Sequence, residues 1–278
     1  MIKRYHEAPL SIFKEVQQLT DGDYALVHLF ESNPAYLEAF QQAVADGRDV
    51  LLDNSIFELG TSFDPDKFAV WIERLRPTWY IVPDSWKNGV ETADMFKNFV
   101  KAYPDLPGKR IGVAQGNDVI EVALCYKAIE PQCDMVAFNL DFSSVFYDSF
   151  LEGVVDRKYK ESLVPYCVAM SIGRYMILKR LHDFGIINED KPHHLLGCGV
   201  PQEVQWYPKK WTWIRSIDTS NPVIAGMHEW WYNEFVGINK KGTEKMCDLV
   251  DVSLTNGQRA DIFRNIAYMK EWCTTWKE

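Results

Sequence analysis

Residues 49–85 read DVLLDNSIFELGTSFDPDKFAVWIERLRPTWYIVPDS, and this stretch contains a complete strand–helix–strand pattern. The runs DVLLDNS (49–55) and WYIVPDS (79–85) are short and apolar and end in polar residues, which is typical of buried parallel strands. Between them, PDKFAVWIERL (65–75) has the periodicity of an amphipathic helix. The stretch therefore predicts two parallel strands joined by a crossover helix.

The same alternation recurs along the rest of the chain. Further strand candidates are YALVHLF (24–30), RIGVAQG (110–116), MVAFNLD (135–141), HHLLGCG (193–199) and WIRSIDTS (213–220). Further helix candidates are PAYLEAFQQAVADG (34–47), TADMFKNFVKAY (92–103) and DVIEVALCYKAI (118–129). PYCVAMS (165–171) and PVIAGM (222–227) compete for an eighth strand, although the first also fits a long helix. The pattern predicts an α/β fold, a single TIM-type (β/α)8 barrel domain over residues 1–278, with an open doubly wound sheet as the alternative.

Composition limits the classes of function that are open to this chain. Of 278 residues, 30 are Lys or Arg and 39 are Asp or Glu, and the net charge of −9 argues against a protein that coats nucleic acid non-specifically. No apolar run reaches the length of about 18 residues that a membrane helix needs, and MIKRYHEAPL (1–10) lacks the apolar core of a secretory signal. The six cysteines form no C-x-x-C pair, which favours a reduced cytoplasm, or the host cytoplasm for a phage-encoded protein. No P-loop or complete G-x-G-x-x-G motif occurs, and we expect no redox or nucleotide cofactor.

Polar side chains stand where the predicted strands end. They are Asp53, Asp84, Gln115, Asn139, Asp141 and Asp218. In a (β/α)8 barrel the carboxyl ends of all strands meet at the face that carries the active site, so we expect these side chains to converge. An Asp after a strand is also a frequent helix N-cap or turn residue, and the turn-rich surroundings of Asp84 and Asp218 keep that interpretation open.

Two carboxylates in one cleft are typical of chemistry at a sugar. One carboxylate attacks the anomeric carbon and forms a covalent glycosyl-enzyme, while the other transfers protons. The amides of Gln115 and Asn139 suit the carbonyl and amino groups of a nucleobase, and a carboxylate accepts the N–H groups of guanine.

Five segments resemble, in order, the strand-end motifs of the tRNA-guanine transglycosylases. They are LLDNSIFELG (51–60), VPDS (82–85), GVAQG (112–116), HHLLGCGVPQEV (193–204) and IRSIDTSNP (214–222). Their order and approximate spacing agree with the family over about residues 50–222. The resemblance implies a TIM-barrel enzyme that exchanges nucleobases.

Carried over by position, the resemblance assigns roles to individual residues. It implies that Asp218 is the nucleophile at C1′ of the target nucleoside and that Asp53 is the general acid and base. The substrate-binding positions that it implies are Asp84, Gln115, Asn139, Ser55 and Gly197. Of these, Asp84 and Gln115 would hold the departing and incoming bases.

Two departures from the family pattern bear on the substrate. The family's zinc run, C-x-C-x-x-C with a later His, is absent from residues 225–252, which contain one His and one Cys, so we predict no metal site. The Gly-Gly after the first Asp is replaced by Asn54, Ser55 and Ile56, which reshapes the base pocket. A compact chain without zinc is more similar to the DNA-acting branch, the phage and bacterial enzymes that insert 7-deazaguanine bases into DNA.

Residues 228–245, HEWWYNEFVGINKKGTEK, combine aromatic rings with lysines. Rings stack on unpaired bases and lysines neutralise phosphates, so this segment, with Lys240 and Lys241, is a candidate nucleic-acid contact. Further candidates for positive charge are Lys209, Lys210, Arg215 and Arg174. The alternative is a peripheral element that packs on the barrel, because aromatic residues also dominate cores.

The sequence predicts a pentosyltransferase, a nucleobase transglycosylase that exchanges guanine in DNA for a preQ0-like 7-deazaguanine base through a covalent aspartyl-glycosyl intermediate. Its expected partners are DNA, either single-stranded or with the base flipped out, and a free purine-like base. The first alternative is a DNA N-glycosylase of the same fold, in which water resolves the intermediate. The others are a tRNA-guanine transglycosylase and a barrel that binds nucleic acid or a small ligand without catalysis. The oligomeric state stays open.

Overall fold

Eight parallel strands close into a barrel, in which each strand pairs with the next along the chain and the eighth pairs with the first. The computed structural model describes residues 1–150, 162–233 and 237–275. The strands are β1 (Lys3–His6), β2 (Gly22–Leu26), β3 (Val50–Asp53), β4 (Trp79–Ile81), β5 (Lys109–Ala114), β6 (Met135–Phe138), β7 (His193–Leu195) and β8 (Ile214–Asp218). The predicted TIM-type barrel is therefore confirmed, and the alternative of an open sheet is wrong.

Helices connect the strands around the barrel. Those of the described residues are α1 (Phe13–Gln17), α2 (Leu29–Ser32), α3 (Pro34–Ala45), α4 (Ile56–Leu59), α5 (Pro65–Leu75), α6 (Gly89–Ala102), α7 (Val119–Ile129), α8 (Ser143–Phe150), α9 (Tyr166–Asp183), α10 (Asn221–Met227) and α11 (Asn256–Thr275). Short 3₁₀ helices span Leu10–Ile12, Glu130–Gln132, Pro201–Gln205 and Met246–Leu249. Across the described ranges, no helix combines the length and the apolar character that a membrane crossing requires.

Helix α5 illustrates how the sequence specifies these elements. The side chain of Asp64 accepts a hydrogen bond from the backbone N–H of Lys67, and Pro65 supplies the first helical residue. Its buried side chains recur at helical spacing and are Phe68, Ala69, Trp71, Ile72 and Leu75. Arg76 ends the helix in the left-handed conformation, with φ of 55°. The predicted boundaries of this helix are confirmed.

The strands align the polar residues at one end of the barrel. Asp53 and Asp218 are the last residues of β3 and β8. Gln115 and Asn139 directly follow β5 and β6, whose last residues pair with each other. Asp84 follows the end of β4 by three residues. Because all strands are parallel, these positions share the carboxyl face.

The first strand was not predicted from the sequence. It reads KRYH, in which Tyr5 lies between polar residues, so no apolar run marks it. Its buried polar side chains have partners inside the fold. Nε of Arg4 lies 2.8 Å from Oδ2 of Asp21, and Nδ1 of His6 lies 2.9 Å from the carbonyl oxygen of Thr219. Tertiary pairing, rather than an apolar pattern, makes this segment a strand.

The segments that competed for the eighth strand are helical. Residues 166–171 belong to α9, and residues 222–227 belong to α10, so neither segment is a strand. The predicted strand over residues 24–30 is also too long, because β2 ends at Leu26 and α2 begins at Leu29. These errors share one cause, since periodicity does not separate a buried strand from a buried helix in a short apolar run.

A close contact at the start of β2 sets the packing inside the barrel. The ring of Tyr5 is 1% exposed, and Tyr5 pairs with Gly22 across the sheet. A Cβ atom at Gly22 would lie 2.3 Å from Cε1 of Tyr5 and 2.6 Å from the carbonyl oxygen of Asp49. Only glycine leaves room for the ring at this position.

We expect Gly22→Ala to destabilise the protein by about 1–3 kcal/mol, because the added methyl group overpacks the barrel. Gly257→Ala is the matched control, since the nearest atom to its Cβ is Oγ1 of Thr255 at 3.8 Å. Urea titrations of both variants give the free energies of unfolding. Equal stability of the two variants would contradict the role of Gly22.

Candidate active site

A cavity of about 910 Å³ opens at the carboxyl face of the barrel. All eight strands, or the residues just after them, contribute to its lining, through Glu7, Tyr24, Asp53, Asp84, Gln115, Asn139, Gly197 and Asp218. Residues of α4 and of the segment 239–246 complete the lining. The volume is within the range of small-molecule sites. The structure thus brings together the polar strand ends that are far apart in the sequence.

Asp218 is held by one oxygen and presents the other to the cavity. Its Oδ1 accepts hydrogen bonds from Nε2 of His194 at 2.9 Å and from the backbone N–H of Gly197 at 3.0 Å. Nδ1 of His194 lies 2.8 Å from Oγ of Ser216, which fits an imidazole that donates from Nε2. Oδ2 of Asp218 has no hydrogen-bond partner among the described residues. Asp218 does not cap a helix, because α10 begins at Asn221 without a side-chain cap.

Asp53 faces the same cavity. Its Oδ2 accepts a hydrogen bond from the backbone N–H of Ser55 at 2.8 Å, and Ser55 adopts the left-handed conformation with φ of 60°. Burial, followed by the charges of Glu58 and Asp218, raises the pKa of Asp53 well above its usual range, although the Ser55 N–H opposes this shift. A carboxyl in this environment can serve as a proton donor.

Asp84, Gln115 and Asn139 form one hydrogen-bonded chain on the β4–β6 side of the cavity. Oδ1 of Asp84 accepts from Nδ2 of Asn54 at 2.7 Å, and its Oδ2 accepts from Nε2 of Gln115 at 2.7 Å. Oε1 of Gln115 accepts from Nδ2 of Asn139 at 2.8 Å and from the backbone N–H of Lys87 at 3.1 Å. The chain therefore leaves a second N–H on each amide, and the remaining lone pairs of Asp84, for a ligand.

Asp141 also lines the cavity, but both of its oxygens are engaged in contacts within the fold. Its Oδ1 accepts a hydrogen bond from the backbone N–H of Ser143 at 3.0 Å, at the start of α8. Its Oδ2 accepts from the hydroxyl of Tyr166 at 2.6 Å and lies 2.6 Å from Nζ of Lys87. Although burial opposes the shift, these contacts lower the pKa of Asp141. The capping interpretation of strand-end carboxylates is therefore correct for this residue.

A buried ion pair supports the Gly197 amide. Nε of Arg174 lies 2.7 Å from Oε1 of Glu203, and both side chains are buried. Arg174 also donates to the carbonyl oxygens of Leu196 at 2.5 Å and Gly197 at 2.7 Å. Gly197, with φ of 54°, turns its N–H toward Asp218. The prediction that Arg174 adds charge to a nucleic-acid surface is wrong, because its guanidinium is paired inside the fold.

The lysines predicted to contact nucleic acid fall into two groups. Lys240 and Lys241 line the cavity, in the segment 228–245, of which residues 234–236 lie outside the described residues. The second group is exposed and does not line the cavity; it consists of Lys209, Lys210 and Arg215. They lie before or near the start of β8, whose opposite end carries Asp218. The structure does not bring this second group to the site.

Among the lining residues that were missed in the sequence are Glu7, Tyr24 and Glu58. Glu7 follows β1 directly, so recognition of that strand would have marked it as a strand end. Burial, followed by the charges of Glu58 and Asp218, raises the pKa of Glu7 well above its usual range. Burial also raises the pKa of Glu58 to about 7, although the charge of Lys245 opposes this shift. The cavity therefore concentrates carboxyl groups with high proton affinity.

Comparisons with known proteins do not reveal a family, since no family model and no curated protein matches the chain. Among solved structures, the fold is similar to that of N-(5′-phosphoribosyl)anthranilate isomerase from Pyrococcus furiosus. The TM-score is 0.43 and the sequence identity 14%, with 96% of this chain and 98% of the other covered. What the site can do is therefore inferred from its own side chains.

The environment of Asp84 predicts how stability depends on pH. Burial raises its pKa from 3.8 to about 6, against the hydrogen bonds from Gln115 and Asn54. Between about pH 4 and pH 6 the folded state therefore binds more protons at Asp84 than the unfolded state does. The stability that this group contributes is present below pH 4 and falls as the pH rises through that window.

We expect the free energy of unfolding of the parent protein, relative to that of Asp84→Asn, to fall by up to about 3 kcal/mol from pH 4 to pH 7. Urea titrations of both proteins at the two pH values measure this difference, and contributions from titrating groups that do not interact with Asp84 cancel. A difference that stays constant or grows with pH would contradict the raised pKa.

Proposed function

We propose that this protein is a nucleobase transglycosylase that exchanges guanine in DNA for a 7-deazaguanine base such as preQ0. One observation carries the proposal. Asp53 and Asp218 line one cavity, and each has a carboxylate oxygen without a partner in the described part of the chain. Two carboxylates in this arrangement support a double displacement at an anomeric carbon.

In the first step Asp218 captures the sugar. Its free Oδ2 attacks C1′ of the target nucleotide, the C1′–N9 bond breaks, and its electron pair leaves with the guanine. Asp53 gives its proton to the departing base. Oδ1 of Asp218 becomes the carbonyl oxygen of the ester, and the N–H groups of His194 and Gly197 keep this group oriented.

In the second step the incoming base replaces the first. Asp53, now ionised, accepts the proton from N9 of the 7-deazaguanine, and N9 attacks C1′. The ester bond breaks, and its electron pair returns to Oδ2 of Asp218. Asp53 ends the cycle protonated, so no oxidant, reductant or net proton is consumed. Two inversions at C1′ retain the configuration of the nucleoside.

The Asp84–Gln115–Asn139 chain is suited to hold the base during both steps. The carboxylate of Asp84 accepts N–H groups such as those of guanine, and the free N–H of each amide donates to a carbonyl oxygen. Because each amide is fixed by its neighbour, the pattern of donors and acceptors is set before the base binds. Guanine and 7-deazaguanine share this hydrogen-bonding edge, so one pocket serves both.

The lysines at the mouth of the cavity suit a nucleic-acid substrate. Lys240 is exposed, and Lys241 is half-buried without an ion-pair partner among the described residues. Both can neutralise phosphates beside the target nucleotide. A base in a duplex must leave the stack to reach the cavity, which costs a few kcal/mol.

Incorporation of labelled 7-cyano-7-deazaguanine into guanine-containing DNA tests the proposal. We expect label to enter the DNA as guanine is released, and we expect Asp218→Asn to lower the rate by at least about 10³-fold, because the nucleophile is lost. Asp190→Asn, at an exposed position that does not line the cavity, is the matched control and should keep the parental rate.

Three results would contradict exchange in DNA. Abasic sites without incorporation of label would indicate an N-glycosylase. Label that enters tRNA but not DNA would make tRNA the substrate. A parent protein without turnover on DNA, RNA or nucleosides would point to a binding function.

A further inference from the structure

Two large aromatic rings stand exposed at the mouth of the cavity. Phe57 is 48% exposed, Trp86 is 36% exposed, and both line the cavity. Their ring centres lie 6.1 Å apart, with an angle of 51° between the planes. The pair forms a continuous apolar edge beside the entrance, which is a feature of binding surfaces.

The elements that carry these rings are fixed. Phe57 belongs to α4, and Nζ of Lys245 donates to the carbonyl oxygen of Glu58 at 2.7 Å, which ties the opposite side of the mouth to this helix. Trp86 precedes Lys87, whose backbone N–H donates to Oε1 of Gln115 and whose Nζ lies 2.6 Å from Oδ2 of Asp141. The edge is therefore in place before a ligand arrives.

Ammonium groups surround the aromatic edge. Nζ of Lys241 and Nζ of Lys245 each lie 5.8 Å from the ring centre of Phe57. Nζ of Lys240 lies 5.3 Å from the ring centre of Trp230, another residue of the cavity lining. Proteins that hold unpaired nucleic acid combine these two groups, because bases stack on the rings and phosphates meet the cations.

The balance of charge at the mouth favours one strand over two. The lysines that line the cavity are Lys240, Lys241 and Lys245. The same cavity is lined by seven carboxyl groups of the described residues, those of Glu7, Asp53, Glu58, Asp84, Asp141, Asp218 and Glu244. The exposed Lys209 and Lys210 lie away from it. A duplex carries twice the charge per length of a single strand, so carboxylates repel it more and its binding depends more on phosphate contacts. Stacking of bases on the aromatic rings must therefore supply much of the affinity for nucleic acid at this mouth.

We propose that Phe57 and Trp86 form a stacking platform for the unpaired nucleotide next to the target, and that the protein therefore takes single-stranded DNA rather than a duplex. The target base enters the cavity while its neighbour covers the indole of Trp86. This inference rests on the proposed function and adds the strandedness of the substrate and the position of the flanking base.

Fluorescence anisotropy with single-stranded and duplex oligonucleotides of one sequence tests the platform. We expect the single strand to bind at least about tenfold more tightly, and we expect Trp86→Ala and Phe57→Ala each to weaken its binding by about tenfold. Phe184→Ala is the matched control, since Phe184 is 70% exposed and does not line the cavity. With three lysines in contact, the slope of log K against log salt should be about −2.

A 2-aminopurine placed beside the target guanine reports stacking at this position. We expect its fluorescence to fall on binding to the parent protein and to stay unchanged with Trp86→Ala. Equal affinity for duplex and single strand, or no effect of either substitution, would overturn the platform. Labelled base that still enters DNA would then leave the proposed function intact, whereas a protein that neither binds nor modifies DNA fails both proposals.

Discussion

The two hydrogen bonds on Oδ1 of Asp218 are the constraint on which the site depends. One bond comes from the side chain of His194 in β7, and the other comes from the backbone N–H of Gly197, two residues after the end of β7. Asp218 is the last residue of the neighbouring strand, β8. The same strands pair in parallel, with a register shift between His193 and His194, so the bonds join the sheet to the site. With Oδ1 held, Oδ2 is the oxygen that faces the cavity, and the rigid barrel fixes its direction. The Arg174–Glu203 pair extends this support into the helical layer.

The carboxyl groups of the cavity divide into two kinds because their surroundings differ. Asp84 receives hydrogen bonds on both oxygens from neutral amides, and this arrangement suits recognition of a base. Within the described part of the chain, Asp53 and Asp218 each keep one oxygen free, and this arrangement suits bond formation and proton transfer. One fold thus assigns different roles to chemically similar groups, as environment sets which carboxyl holds a proton. Burial and the charges of Glu58, Asp218 and Asp84 favour the protonated form of Asp53.

The sequence predicts much of the barrel and of the site, because a buried parallel strand is marked by its apolar run and the next polar residue marks its end. Asp53, Gln115, Asn139 and Asp218 were found in this way. The strand β1 carries no such run, so Glu7 was missed with it. The partners of His194 and Arg174 depend on contacts between distant segments, which no local pattern encodes. Composition alone also did not separate Lys209 and Lys210 from the lysines at the cavity.

The site of covalent attachment tests the nucleophile most directly. Acid quenching of the protein with guanine-containing DNA, in the absence of free base, followed by nuclease and protease digestion, leaves the sugar on the peptide that formed the ester. We predict a mass increase on the peptide that contains Asp218, and none on that peptide in Asp218→Asn. An adduct on Asp53 or on another residue, or base exchange that proceeds without any adduct, would contradict a mechanism in which Asp218 captures the sugar.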